Sequence, residues 1–126
     1  MNEPKRYMHN AKDLLKKAGK EDGHYKDAKY VRMACGTAYC GILLALDDYL
    51  ESRNRKIIKK KYQRKNVNDY EAALSKLNKR LLHKFNAAYH VLHLDGYYEG
   101  IVERKVIDAG ISVADEIVDG IMANTF

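Results

Sequence analysis

The chain has no tryptophan, two phenylalanines, two cysteines and a single proline among its 126 residues. So little proline, beside long stretches rich in Ala, Leu, Lys and Glu, argues for helices and against a turn-rich sheet protein. The two cysteines, Cys35 and Cys40, are five positions apart, which on a helix places them roughly 140° apart. They are badly placed to pair with each other, and no further cysteine is present to build a thiolate metal site. Both read as reduced, buried thiols of a cytoplasmic protein. Long apolar runs are missing too. The longest uncharged stretch, Met33 to Leu46, has 14 residues, short of the ~20 that span a bilayer. The opening "MNEPKRYMHNAKDLL" has no apolar signal-peptide core, so no membrane association is expected. No Gly-rich phosphate loop, G-x-S-x-G or H-E-x-x-H motif occurs.

Negative charge is absent from one place above all. Between Arg53 and Lys65, "RNRKIIKKKYQRK" carries Arg53, Arg55, Lys56, Lys59, Lys60, Lys61, Arg64 and Lys65 and no acid. Of 23 Lys and Arg in the chain these are eight, leaving 15 against 17 acids, so the whole net charge of +6 comes from this segment. Crowded cations repel and favour an exposed loop. They suit either nucleic-acid phosphates, bound without sequence preference, or a solvated tip that aids solubility or docks on an acidic protein partner. Tyr62 is the one stacking group within the run, and Ile57 and Ile58 suggest that part of it packs down.

What remains reads as one all-α domain over residues 1–126, long enough to bury about two-thirds of its unfolded surface without metal or disulfide. Four helices are expected. The first spans about Pro4 to Ala18, with Tyr7, Ala11, Leu14, Leu15 and Ala18 on one face and Gly19 as its stop; "GKEDG" follows as a polar turn. The second spans about Tyr25 to Ser52, with small residues at Thr37, Gly41 and Ala45 that allow a neighbouring helix to approach closely. The third starts at a capping box of Asn68 and Glu71, runs on Tyr70, Leu74, Leu77, Leu81, Phe85, Ala88 and Leu92, and is broken by Gly96. The fourth spans about Glu99 to Ala123, burying Val102, Val106, Ala109, Gly110, Val113, Ile117 and Ile121. Short connections imply an antiparallel up-and-down four-helix bundle. Tyr30, Tyr39, Tyr49, Tyr70 and Tyr89 would sit at its edges with rings buried and hydroxyls wet.

Three of the five histidines fall in "RLLHKFNAAYHVLH" at residues 80–93. At 100° per residue His83, Asn86, His90 and His93 lie within roughly 80° of each other, in a polar strip beside the core stripe. His90 and His93 would supply two ligands to a metal, but tetrahedral sites need three or more protein donors, and the Glu-x-x-His pairs of di-iron bundles are lacking. No metal and no cofactor is expected. Asp47 and Asp48, adjacent in sequence, point apart on a helix and read as cap or surface charges.

The pattern "YVRMACGTAYCGILLALDDYL" of the second helix, with the four-helix order, resembles the HEPN superfamily, and among its members small bacterial proteins. The resemblance implies a four-helix bundle, a homodimer, and in some members association with a small nucleotidyltransferase. Many HEPN proteins are metal-independent RNases whose motif is an arginine followed four to six positions later by a histidine, the first steadying phosphate charge and the second moving protons. Here Arg80 is followed by His83 after two intervening residues and by His90 after nine, while Asn86-Ala-Ala-Tyr-His90 is similar to the second half of that motif. The sequence therefore reads as a non-enzymatic binding module. A ribonuclease built on His90, Arg80 and Asn86 is the alternative.

Overall fold

The computed structural model describes residues 2–126. Those residues are mostly helical, with one very short hairpin. Helix α1 covers Glu3–Ala18: the Asn2 side chain accepts from the Lys5 amide, Pro4 occupies the first turn, and Gly19 ends it at φ 72°. Its buried line is Met8, Ala11, Leu15 and Ala18, with Tyr7 and Leu14 half-exposed at its margins. The expected turn is a two-stranded antiparallel hairpin, β1 (Lys20–Glu21) and β2 (His24–Tyr25). Asp22 at φ 53° makes its reversal, a conformation short polar side chains tolerate. The Tyr25 amide donates to the Val102 carbonyl and the Arg104 amide to the Gly23 carbonyl, so the hairpin ties the start of the chain to its last helix.

Helix α2 covers Ala28–Ser52, starting three residues later than Tyr25 and capped by Asp27; Tyr25 is spent on the hairpin. It is the hub, contacting α1, the last helix and the segment at residues 89–99. It runs antiparallel to α1. Near the hairpin the Asp27 amide donates to the Ala18 carbonyl, while at the far end Gly41 sits against Tyr7 and the Pro4 carbonyl, where a Cβ would come within 3.0 Å and 3.3 Å of them. The close approach expected at Gly41 is therefore present, and its neighbour is α1. Cys35 is buried as expected, but Cys40, turned well away from it around the helix, is exposed.

The expected third helix is three pieces. Helix α3 covers Val67–Leu77, α4 covers Lys79–Ala88, and a π-helix of 11 residues covers Tyr89–Glu99. The cap is Asn66, not Asn68: a full capping box joins Asn66 and Asp69. Asn78 breaks the rod at φ −159°, and its side chain accepts from Leu81 N to begin α4. Asparagine does this well because its amide competes with backbone partners. Gly96 does not end the helix. It is buried inside the π-helix, whose C-cap is Gly100 at φ 71°. The core stripe nevertheless survives the breaks, with Tyr70, Leu74, Leu81, Phe85, Ala88 and Leu92 all buried.

Helix α5 covers Arg104–Met122, starting later than expected because Gly100 and Ile101 close the π-helix and Val102 to Arg104 pair with the hairpin. Its buried face is Ile107, Gly110, Ile111, Ala114, Ile117 and Val118. This is rotated from the expected one: Ala109 is exposed and Val106 and Val113 are half-buried. Both faces are apolar in sequence, and the one that turns inward packs chiefly on α2 and α4. No helix is long and apolar enough to cross a membrane.

Candidate nucleic-acid interface

The basic segment lies between α2 and α3 as an exposed loop without regular structure. It is pinned rather than loose. At its start the Arg53 guanidinium lies 3.9 Å from the Tyr49 ring centroid and donates to the Phe126 carbonyl at 2.7 Å. In its middle Lys59 pairs with Asp69 at 3.0 Å. The Asn66 amide, then Lys59, hold the Asp69 carboxyl below the usual carboxylate range. At its end Lys65 pairs with Asp47 at 2.9 Å, and Tyr70 donates its hydroxyl to the same Asp47 oxygen. The Tyr70 phenol is thus tied to an acid, not left to water, and its pKa rises through burial and that neighbour.

Three of the eight cations serve as these pins. Arg55, Lys56, Lys60, Lys61 and Arg64 are exposed and form no salt bridge among the described residues. Lys61 instead lies over the Tyr62 ring at 5.2 Å. Tyr62 is 91% exposed and Ile58 is 87% exposed. Ile57 packs against the core and Ile58 does not, so only half of the expected apolar anchor is used. Five unpaired cations and one bare aromatic ring on the same loop can neutralise phosphates and stack one base.

The polar strip is split by the π-helix. His83 and His90 are exposed and Asn86 is half-buried on the outer side of α4 and its continuation. His93 leaves them. The i→i+5 bonding of a π-helix widens the turn, so residues four apart stay close to one line. His93 stacks between Tyr89 (5.4 Å), Tyr97 (6.0 Å) and Tyr39 (4.8 Å), with Tyr98 edge-on at 5.0 Å. Burial lowers its pKa below the ordinary histidine value. Among the described residues no group of three or more His, Cys, Asp or Glu side chains converges as a metal site. Arg80 is not brought to His90. It donates to the Thr125 carbonyl at 3.1 Å and lies over the Phe126 ring at 4.8 Å, and ten residues of helix put the two backbones on the order of 15 Å apart.

One feature carries no sequence motif. The π-helix ends in a shallow groove of about 520 Å³ lined by Lys29, Arg32, Met33, Tyr97 and Tyr98. Arg32 donates to the Tyr97 and Tyr98 carbonyls at 2.8 and 2.9 Å, tying down the backbone that carries the two rings. The spacing Phe85, Tyr89, His93, Tyr97 was the available signal. Elsewhere, Tyr25 donates its hydroxyl to Asp108, and burial with that bond raises the phenol pKa.

The overall fold has a solved counterpart. A solved structure of a protein of unknown function from Dyadobacter fermentans superimposes with a TM-score of 0.82 at 39% identity, over 98% of this chain and 93% of that one. No curated protein matches. The model of a domain of unknown function, DUF5618, matches residues 1–123. The chain belongs to the DUF5618 family.

Proposed function

We propose that this protein is a non-enzymatic, cytoplasmic binding module of HEPN-like type that engages nucleic-acid phosphates through the Arg53–Lys65 loop. The fold reading behind it is a four-helix bundle in which α3, α4 and the π-helix form one bent rod beside α1, α2 and α5. The observation that carries the binding reading is the division of labour in the loop: Arg53, Lys59 and Lys65 hold its shape, while five cations and Tyr62 face outward without acidic partners. An acidic protein surface would use the cations equally well, but the bare Tyr62 ring beside Lys61 favours a ligand with a stacking face. The same loop is where an acidic partner such as a nucleotidyltransferase subunit would dock if nucleic acid does not.

The test is fluorescence anisotropy with a labelled single-stranded RNA across a salt series. Five phosphate contacts on a single strand give a log–log salt slope of about −3.5. Replacing Lys60, Lys61 and Arg64 by Gln, with the pins untouched, lowers the slope by about 2 units. Absence of binding at low salt overturns the reading. Shortened RNA in the same samples, lost in His90→Ala, would establish the ribonuclease alternative instead.

A further inference from the structure

Among the described residues five large apolar side chains are exposed: Met33, Ile58, Tyr62, Tyr97 and Tyr98. Two belong to the basic loop. The other three come from α2 and the π-helix and meet in the shallow groove where the π-helix ends. Scattered exposed apolar groups are ordinary, but a contiguous set around a concavity marks a place where something binds. The corner they make is braced. The Tyr97 ring lies against α2 at Gly36, where a Cβ would come within 3.1 Å of it. His93 stacks on Tyr97 with 9° between the ring planes, and Tyr98 stands edge-on to Tyr97 at 5.3 Å and 88°. The same row of rings runs back through Tyr89 to Phe85 in the core, and Arg32 ties down the backbone of the last two. Two rings held at right angles offer an incoming flat ring a face and an edge at once, the two arrangements that aromatic pairs favour. The Met33 thioether beside them suits the same guest.

Charge narrows the choice. No acid lines the groove, and Lys29 is its one ammonium. Lys29 is exposed, forms no salt bridge among the described residues, and rests over the Tyr30 ring at 4.9 Å. Arg32 has Nη1 engaged by the two carbonyls, which leaves Lys29 as the cation able to turn to a guest. We propose that this groove binds a small aromatic carboxylate, its ring in the corner of Tyr97 and Tyr98 and its carboxylate on Lys29. One free ammonium matches one negative charge, which favours a carboxylate over a phosphate dianion. A volume of about 520 Å³ is within the range of small-molecule sites. Arg32 and Arg53 are 21 positions apart, about 30 Å of helix, so this site stands at the opposite end of α2 from the basic loop and does not depend on it.

The chain has no tryptophan, so the emission of an indole probe is read without a protein tryptophan background. Indole-3-acetate, followed by the anisotropy of its own emission as protein is added, is expected to bind with a dissociation constant of about 0.1–1 mM. Neutral indole-3-acetamide binds about three- to fivefold more weakly, the size of an exposed ion pair, and Lys29→Gln removes that difference. Tyr98→Ala weakens binding about five- to tenfold, whereas Tyr98→Phe keeps it; circular dichroism checks that each variant is folded. Replacing Lys60, Lys61 and Arg64 by Gln leaves binding unchanged, and a loss there overturns the placement in the groove. No rise in anisotropy at about 1 mM protein overturns the proposal. Equal affinities for the acid and the amide, or indifference to Tyr98→Ala, do so as well. Displacement of the probe by adenosine monophosphate more readily than by phenylacetate overturns the choice of a carboxylate.

Discussion

Gly96 offers a direct test of how the π-helix is seated on α2. A Cβ at this position would come within 2.9 Å of Cys35 Cβ and closer still to Cys35 Sγ, with the Val91 carbonyl 3.3 Å away. Cys35 is fully buried, so its sulfur has nowhere to swing, and the rod must move. Gly96→Ala therefore sets overpacking, about 1–3 kcal/mol, against a gain in helix propensity of up to about 1 kcal/mol. The clash wins, and a net loss of about 1–2 kcal/mol is expected. In urea melts followed by circular dichroism, with m near 1.5 kcal/mol/M, that lowers the midpoint by about 1 M. Cys35→Ala, which removes the sulfur, softens the clash, so the double variant loses less than the two single losses together, with a coupling of 0.5 kcal/mol or more expected for contacting groups. A neutral or stabilised Gly96→Ala, or strict additivity in the cycle, would refute the close approach.

Two further outcomes follow from local chemistry. His93 titrates below 6.5 in the folded chain because it is desolvated; the unfolded chain therefore binds that proton first as pH falls. Stability from this residue is intact above pH 7 and declines as pH drops through 6.5, so urea midpoints at pH 7.5 and 5.5 converge in His93→Gln relative to the parent, and an unchanged pH dependence would show that the ring is not the cause. Asn66→Ala removes the cap of α3 and costs about 1 kcal/mol, read as a lower thermal midpoint, whereas Asn68→Ala at the position first expected to cap leaves it within about 0.5 kcal/mol.

The parts of the fold that follow from periodicity were legible. The α1 and α2 spans and the stripe from Tyr70 to Leu92 depend on apolar residues recurring at helical spacing, and breaks in the rod do not disturb them. The parts that depend on competition between neighbours were not. Asn66 and Asn68 both stand three residues before an acid, and only the chain path out of the loop selects the first. On α5 two apolar faces compete, and the inward one is chosen by what packs there. The π-helix was hidden because Gly96 looks like a stop while here it is the point of closest approach. In the candidate interface the loop and its cations were plain from charge alone. Which cations are free was not, because Asp47 and Asp69, the partners of Lys65 and Lys59, are remote in sequence from one of them and masked by the local run in the other.

The pinned loop separates two quantities that a charged segment normally varies together. In a limp basic tail every cation adds both attraction and disorder, and changing one alters shape and charge at once. Here the anchors at Arg53, Lys59 and Lys65 divide the span into short arcs, and the arcs carry the outward charge. Drift at Arg55, Lys56, Lys60, Lys61 or Arg64 retunes the strength of attraction while the contour persists. Drift at an anchor reshapes the contour while most of the charge persists. Were the loop to bind polyanions as proposed, a lineage with this fold could exchange one ligand for another of different curvature without surrendering that affinity, and weaken the affinity without losing its selectivity for shape.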